Sequence, residues 1–222
     1  MMTCNTLIEN HQQEWHDYTR HSFVCELGKG TLPVEVFRHY LEQDYLFLIH
    51  FARAYALAIY KSDNFVAMAK PLEALQTLIN IETRLHVQYC QQWGLQEADM
   101  ITIPEAVGTV AYTRLVLDVG QTGSLTELYT ALAPCSIGYG HIGLWLKESP
   151  DTVWEGNPYR DWIETYSGSE YLTAMEASIH QLNGLLAEIP ENSSAARKIH
   201  KIFRDATCME IAFWEQGFSA LK

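Results

Sequence analysis

The chain is poor in basic residues. Only 15 Lys and Arg stand against 27 Asp and Glu in 222 residues, which gives a formal net charge of -12 at pH 7. That balance repels the phosphates of nucleic acids and the headgroups of anionic lipids alike. We therefore expect neither nucleic acid nor a membrane surface as a partner.

The chain also has no long uninterrupted apolar run. Its most apolar segment, LFLIHFARAYALAIY, is broken by His50 and Arg53 and is shorter than the roughly 20 residues that span a bilayer. The opening stretch, MMTCNTLIENHQQEWHDY, has no basic segment followed by an apolar one, so it does not resemble a secretory signal. We expect a cytoplasmic protein.

Cysteine is scarce and never occurs as a C-x-x-C pair. An odd number of widely spaced thiols indicates neither a disulfide framework nor a zinc site. Three of them, Cys25, Cys90 and Cys208, fit the inert packing role that most lone cysteines have. The five are Cys4, Cys25, Cys90, Cys135 and Cys208.

Strand patterns are missing as well, because almost every segment follows the helical period. No Pro/Ser-rich linker and no repeat of 20 to 50 residues divides the chain. We expect one all-α domain, a helical bundle over residues 1–222. The pattern predicts helices near 5–26, 33–61, 64–93 with a break at Pro71, 104–119, 124–148, 158–189 in two pieces, and 192–220.

Several helix starts carry capping signals. A Ser or Thr followed three residues later by Glu is a capping box, and Asn before Pro is a usual way to open a helix. The signals are Thr102-x-x-Glu105, Ser124-x-x-Glu127, Ser167-x-x-Glu170, Asn157-Pro158 and Asn192.

The stretch APCSIGYGHIG contains G-x-G-x-x-G, formed by Gly138, Gly140 and Gly143. A dinucleotide fingerprint needs a strand before its first glycine and an acidic residue after a second strand. Helical sequence precedes Gly138 and no strand follows Gly143, so we reject that interpretation. Glycines on a helix instead allow a ligand or a neighbouring helix to come close.

Cys135 in the same stretch differs from the other cysteines because it follows Pro134. Proline interrupts the helical ladder, and a new helical segment starting there would place Cys135 among free N–H groups that stabilise a thiolate. Tyr139 lies one turn further on the same face. The pair fits one site.

Two carboxylates occupy apolar surroundings. Asp44 shares a helix face with Phe47 and Phe51, and Glu210 lies within TCMEIAFWEQG. At the position of Asp44 a carboxylate is costly unless it is paired or used. The surroundings of Glu210 would raise its pKa, so that it works as an acid and base near neutrality. A buried salt bridge to Arg or Lys is the structural alternative for each.

Four separated motifs, YLEQDYLFL, APCSIGYGHIG, WIETYSG and CMEIAFWEQ, together resemble the TenA/thiaminase II family over essentially the whole chain. The resemblance implies an all-α fold like that of haem oxygenase, a homotetramer, and no metal or organic cofactor. It also implies hydrolysis of thiamin, or of aminopyrimidines from degraded thiamin, to 4-amino-5-hydroxymethyl-2-methylpyrimidine.

Carried over position by position, the resemblance makes Cys135 the nucleophile and Glu210 the acid/base. Asp44 would bind the amino group and ring nitrogen of the pyrimidine, and Phe47 would stack on the ring. His141 departs from the family, in which an acidic residue often stands there. The remaining pocket residues implied are Tyr112, Tyr139, Tyr166 and His86.

Other functions remain open. Glu82 and His86 share a helix face and, with His141 and His180, suggest a dimetal oxidase of related fold, although the ligand set is incomplete. A haem-binding module would use His16 or His21. A non-catalytic helical regulator is a third possibility, against which the presence of both Cys135 and Glu210 argues.

Overall fold

A computed structural model describes residues 1–221. Helices make up 79% of the chain, and the described residues contain no strand, which confirms the all-α expectation. No helix of that range is long and apolar enough to cross a membrane. The helices are α1 (Cys4–Asn10), α2 (Gln12–Thr19), α3 (Ser22–Lys29), α4 (Val34–Tyr60), α5 (Phe65–Thr77), α6 (Thr83–Gln92), α7 (Glu97–Met100), α8 (Val107–Thr122), α9 (Leu125–Glu148), α10 (Arg160–Tyr166), α11 (Ser169–Leu186) and α12 (Ser194–Gly217), with a π-helical turn at Leu78–Glu82 and a 3-10 turn at Phe218–Leu221.

The chain divides into two compact units, each assembled from separate parts of the sequence. Unit 1 comprises Met1–Pro33 and Tyr129–Ile211. Unit 2 comprises Val34–Leu128 and the residues from Ala212 onward. Each unit therefore depends on contacts between segments that are far apart along the chain.

The expected single helix at 5–26 is wrong, because three short helices take its place. His11 and Arg20 leave helical geometry, with φ of -123° and -125°, and each closes the helix before it through its backbone N–H. Neither position is Gly or Pro, so no helix-breaking residue marks these ends in the sequence. Helix α7 is a further element that the pattern did not predict.

The expected break at Pro71 is also wrong. Helix α5 continues through Pro71, and the irregularity follows it as the π-helical turn Leu78–Glu82. A proline removes one bond from the helical ladder, but Pro71 is buried within unit 2 and the helix continues. Wide π turns often occur next to functional sites, and this one leads directly into α6.

Of the predicted caps, that of α9 is confirmed, since Glu127 N donates to Ser124 Oγ at 3.2 Å. Helix α12 is capped one residue later than expected, by Ser193, whose Oγ accepts from Ala196 N at 3.0 Å. Ser167 does not cap α11, because its hydroxyl donates to Ile163 O at 2.7 Å.

Asn157 does not cap α10, which begins at Arg160. Its amide nitrogen instead donates to Leu27 O, Gly28 O and Val153 O at 2.9–3.1 Å. Its Oδ1 accepts from Tyr159 N at 2.9 Å. The buried amide thus joins the end of α3 to the loop before α10 within unit 1.

Helix α8 begins at Val107, so the predicted box at Thr102 and Glu105 is wrong. Ala106 N and Thr109 Oγ1 donate to Gln43 Oε1 at 2.7 and 2.9 Å. Gln216 Oε1 accepts from Thr109 N at 3.2 Å. Side chains 63 and 107 residues away therefore satisfy a helix start that local sequence does not cap.

Each of the three glycines of α9 allows a different residue of unit 1 to come close to the helix. A Cβ at Gly138 would lie 2.3 Å from the Tyr18 ring, and one at Gly140 would lie 2.4 Å from Met175 Sδ. At Gly143 it would lie 2.5 Å from the backbone carbonyl carbon of Tyr166. The G-x-G-x-x-G pattern thus serves close packing.

Substituting Gly143 tests this packing. Gly143→Ala should lower the free energy of unfolding by about 1–3 kcal/mol, because the Tyr166 backbone cannot move aside as a side chain can. Gly184→Ala in α11 is the control, since no atom lies within 4 Å of its added Cβ, and it should stabilise by up to about 1 kcal/mol. Urea unfolding measures both; equal stability of Gly143→Ala and wild type would contradict the account.

Candidate active site

Cys135 lies in α9 and is only 5% exposed. The helix runs unbroken from Leu125 to Glu148 with Pro134 inside it, so the expectation that a new helical segment starts at Pro134 is wrong. Cys135 consequently does not lie in the first turn of a helix. The Tyr18 hydroxyl donates to Pro134 O at 3.3 Å and holds this part of α9 from the side.

Tyr139 and Tyr166, both expected in the site, come together in unit 1. Their ring centroids are 4.9 Å apart, and Trp162 lies 4.5 Å from Tyr166. Tyr171 meets Tyr166 edge-on at 4.8 Å. Sequence reasoning missed Trp162 and Tyr171, although Trp162 belongs to the WIETYSG motif.

Glu210 lies in α12 and is 2% exposed. A carboxyl group this deep in an apolar interior is costly unless it is paired or used in chemistry. Cys135 and Glu210 thus give unit 1 one buried thiol and one buried carboxyl group among its predicted site residues.

The other thiols are poor nucleophiles. Burial raises the pKa of Cys4 to about 12 and that of Cys90 to about 11. Burial also raises the pKa of Cys25 and of Cys208. Since the thiolate is the reactive form, these four are protonated near neutrality, in keeping with packing roles.

His141, the departure from the family pattern, is partly buried and meets Trp15 edge-on at 5.6 Å. Burial, followed by the charge of Arg20, lowers the pKa of His141. The ring is therefore neutral near pH 7, whereas an acidic residue at this position would carry a charge.

Asp44 in α4 is 4% exposed and makes two contacts, both through Oδ2. The Tyr40 hydroxyl donates to this oxygen at 3.0 Å, and His86 Nε2 lies 2.6 Å from it. Asp44 thus pairs with a histidine rather than with the Arg or Lys of the structural alternative. Within residues 1–221 its Oδ1 accepts no hydrogen bond.

His86 is fully buried and uses both ring nitrogens. Its Nδ1 lies 2.6 Å from Glu82 O, and since a carbonyl only accepts, Nδ1 carries a proton. Burial by itself would lower the pKa of His86, but the Asp44 charge and the hydrogen bonds to Asp44 and Glu82 O outweigh burial and raise it above 6.5. The charge of Asp44 and the two hydrogen bonds thus favour the protonated form of the His86 ring.

Phe47 and Tyr112 also lie together, with ring centroids 4.8 Å apart. Phe213 meets Phe47 at 5.6 Å and Tyr40 at 6.2 Å. Sequence reasoning missed Tyr40 and Phe213, although Tyr40 precedes Asp44 by one helical turn. Within unit 2, aromatic side chains thus surround the pair formed by His86 and Asp44.

The structure does not favour the dimetal and haem sites that the sequence left open. Within the described range, no group of three or more His, Cys, Asp or Glu side chains is arranged to hold a metal ion. The dimetal set also loses His86, whose two nitrogens are engaged. His21 caps α3 by accepting from Phe23 N at 3.2 Å, and His16 lies on the surface.

Comparison with known proteins assigns the chain to a family. The model of the TENA/THI-4/PQQC family matches residues 8–220. The chain is 43% identical to an uncharacterized protein of Haemophilus influenzae, over 95% of this chain and 96% of that one. It is 31% identical to an aminopyrimidine aminohydrolase of Halalkalibacterium halodurans, over 96% and 94% of the two chains.

Solved structures give the same fold. A protein described as a TenA family transcription regulator from Silicibacter sp. TM1040 superposes with a TM-score of 0.90 at 36% identity, covering 97% of this chain and 96% of that chain. A Shewanella denitrificans domain with a heme oxygenase-like fold superposes at 0.69 with 12% identity, covering 99% and 93%. The fold is therefore haem-oxygenase-like, as expected.

The ion pair makes stability depend on pH. Because the pKa of His86 is raised on folding, the stabilisation is complete below about pH 6.5 and is lost as pH rises through the folded-state value. Asp44→Asn should therefore cost about 3 kcal/mol of unfolding free energy near pH 6 and progressively less at alkaline pH. Urea unfolding of both proteins from pH 5.5 to 9 checks this, and a gap that stays constant would refute it.

Proposed function

Because the chain belongs to the TENA/THI-4/PQQC family, we propose that it is an aminopyrimidine aminohydrolase of the thiaminase II type. It hydrolyses the bond between the exocyclic methylene and nitrogen of 4-amino-5-aminomethyl-2-methylpyrimidine, or of thiamin. The product is 4-amino-5-hydroxymethyl-2-methylpyrimidine, used in thiamin salvage. One observation carries the proposal above the others: a buried carboxylate, Asp44, keeps one oxygen available within an aromatic surround.

In this proposal Cys135 is the nucleophile and Glu210 the acid and base. The Cys135 thiolate adds to C6 of the pyrimidine, which pushes electrons towards the exocyclic carbon. With the aminomethylpyrimidine, Glu210 protonates the departing nitrogen and ammonia leaves. With thiamin, the thiazole leaves as a neutral molecule without being protonated, and Glu210 acts only as the base that accepts the proton of water. An exocyclic methylene forms in both cases. Water adds to that methylene, giving a proton to Glu210, and expulsion of the Cys135 thiolate restores the aromatic ring.

The remaining site residues bind and orient the pyrimidine. Asp44 accepts from the 4-amino group, and Phe47 stacks on the ring with Tyr112 beside it. Tyr139 and Tyr166 orient the reacting groups. A flat, apolar ring with one polar edge suits such a combination of aromatic rings and a few fixed polar atoms.

A regulator that only binds a pyrimidine is the competing function, and one similar structure is described as a transcription regulator. Ligand binding alone does not require a buried thiol together with a buried carboxyl group. Because burying a carboxyl group costs free energy, the presence of Glu210 together with Cys135 favours the enzyme.

From the resemblance to the TenA/thiaminase II family we also propose the oligomeric state and the localisation. Residues 1–222 act as one domain in a cytoplasmic homotetramer. Unit 2 exposes large apolar side chains that contact between copies would cover. Among the most exposed of them are Tyr60, Phe65 and Val66.

Turnover by substituted proteins tests the function. Glu210→Gln should lower kcat/KM by about 10²–10⁴-fold, and Cys135→Ser should lose at least as much. Cys25→Ser is the matched control, because its thiol donates only to Arg20 O at 3.4 Å and serine preserves that bond. The assay compares aminomethylpyrimidine, its formylated precursor and thiamin, with thermal unfolding as the check on folding.

The outcomes separate the candidates. Activity lost in both variants and kept in Cys25→Ser supports the enzyme. If wild type turns over none of the three compounds, the proposed function fails. If Cys135→Ser retains full activity, the nucleophile is wrong.

A further inference from the structure

We infer that His86 is a positioning residue, which fixes Asp44 between itself and Tyr40 so that Oδ1 alone meets the substrate and selects a donor such as the 4-amino group. The inference rests on the proposed function, because it concerns how that site reads its pyrimidine. The inference goes beyond the proposed function because it assigns the choice between 4-amino and 4-oxo pyrimidines to His86, which does not touch the pyrimidine ring.

His86 has no nitrogen left for a substrate. Nδ1 is held at 2.6 Å by Glu82 O and Nε2 at 2.6 Å by Asp44 Oδ2. The hydrogen bond from Nδ1 to Glu82 O fixes the orientation of the ring, as a hydrogen bond at one nitrogen of an imidazole commonly does for the other nitrogen. With the ring fully buried, any effect of His86 on substrate must pass through Asp44.

The contacts divide the two oxygens of Asp44 into different roles. Oδ2 already receives the Tyr40 hydroxyl and His86 Nε2, so it has little capacity for a third donor. Oδ1 keeps its lone pairs and, on an ionised carboxylate, acts only as an acceptor. A 4-amino group donates to it, whereas a 4-oxo group would place an acceptor against an acceptor.

The contact with His86 Nε2 fixes the orientation of Asp44. In the described part of the chain, the charges that act on His86 come from Asp44 in α4 and from Glu82 in the π-helical turn. Tyr40 adds a neutral donor, and its further neighbours Phe213 and Trp214 are aromatic. Without a proton on Nε2, His86 would not donate to Oδ2, and Asp44 would lose the contact that leaves Oδ1 for the substrate.

Two substitutions separate charge from hydrogen bonding. His86→Gln retains a donor towards Asp44 and removes the charge. Tyr40→Phe is the matched control, because it removes the neutral donor from the same oxygen and retains the charge. Calorimetry measures the affinity of each protein for 4-amino-5-hydroxymethyl-2-methylpyrimidine and its 4-oxo counterpart, and steady-state assays give kcat and KM for aminomethylpyrimidine from pH 5.5 to 8.5.

We expect His86→Gln to lower the amino-over-oxo affinity ratio at least tenfold and to raise KM more than it lowers kcat. Its pH profile of KM should also differ from that of wild type, because no titratable imidazole remains beside Asp44. Tyr40→Phe should change the ratio less and leave KM independent of pH. An unchanged ratio and pH profile in a folded His86→Gln protein would overturn the inference.

A measurement on wild type covers the case in which His86→Gln does not fold. Nitrogen-15 NMR of the His86 ring should show both nitrogens protonated at pH 7, with and without the 4-amino product bound. An unprotonated Nε2 would overturn the inference. If wild type neither binds nor turns over any 4-aminopyrimidine, the proposed function fails instead, which distinguishes the two failures.

Discussion

The 2.6 Å contact between His86 and Asp44 is the constraint on which unit 2 depends. Neither charge could remain in an aromatic interior alone, and removing one partner of a buried pair leaves the other uncompensated. The π-helical turn ends at Glu82, whose carbonyl holds the second nitrogen of His86. The Tyr40 hydroxyl, one turn before Asp44, donates to the same oxygen as His86, so the geometry of this segment determines which oxygen of the carboxyl group is occupied.

Unit 1 is constrained by packing against α9. Tyr18, Met175 and the Tyr166 backbone approach the helix at the three positions where a side chain is missing. The glycines that suggested a phosphate-binding fingerprint therefore serve the close packing of α9, the helix that carries Cys135 and Tyr139. Pro134 does not interrupt α9, so a new helix start does not activate Cys135.

The all-α class and the length of α4 could be predicted from period, because apolar spacing reports directly on which face is buried. The burial of Asp44 and Glu210 could likewise be predicted, since both carboxyl groups stand among apolar residues in the sequence. Partners were harder to predict: Asp44 pairs with a histidine 42 residues away. Gln43 and Gln216 cap helix α8, for which the local sequence had predicted Thr102 as the cap. Tertiary contacts decide these choices, as they decide the breaks at His11 and Arg20, and a single sequence does not report them.

The central claim is that this chain replaces the nitrogen on an exocyclic methylene with oxygen from water. Incubating the wild-type protein with 4-amino-5-aminomethyl-2-methylpyrimidine in water enriched in oxygen-18 tests it most directly. The account predicts equimolar ammonia and hydroxymethylpyrimidine, with one labelled oxygen in the hydroxymethyl group by mass spectrometry. Recovery of unchanged substrate without ammonia, or a product that lacks the label, would contradict it.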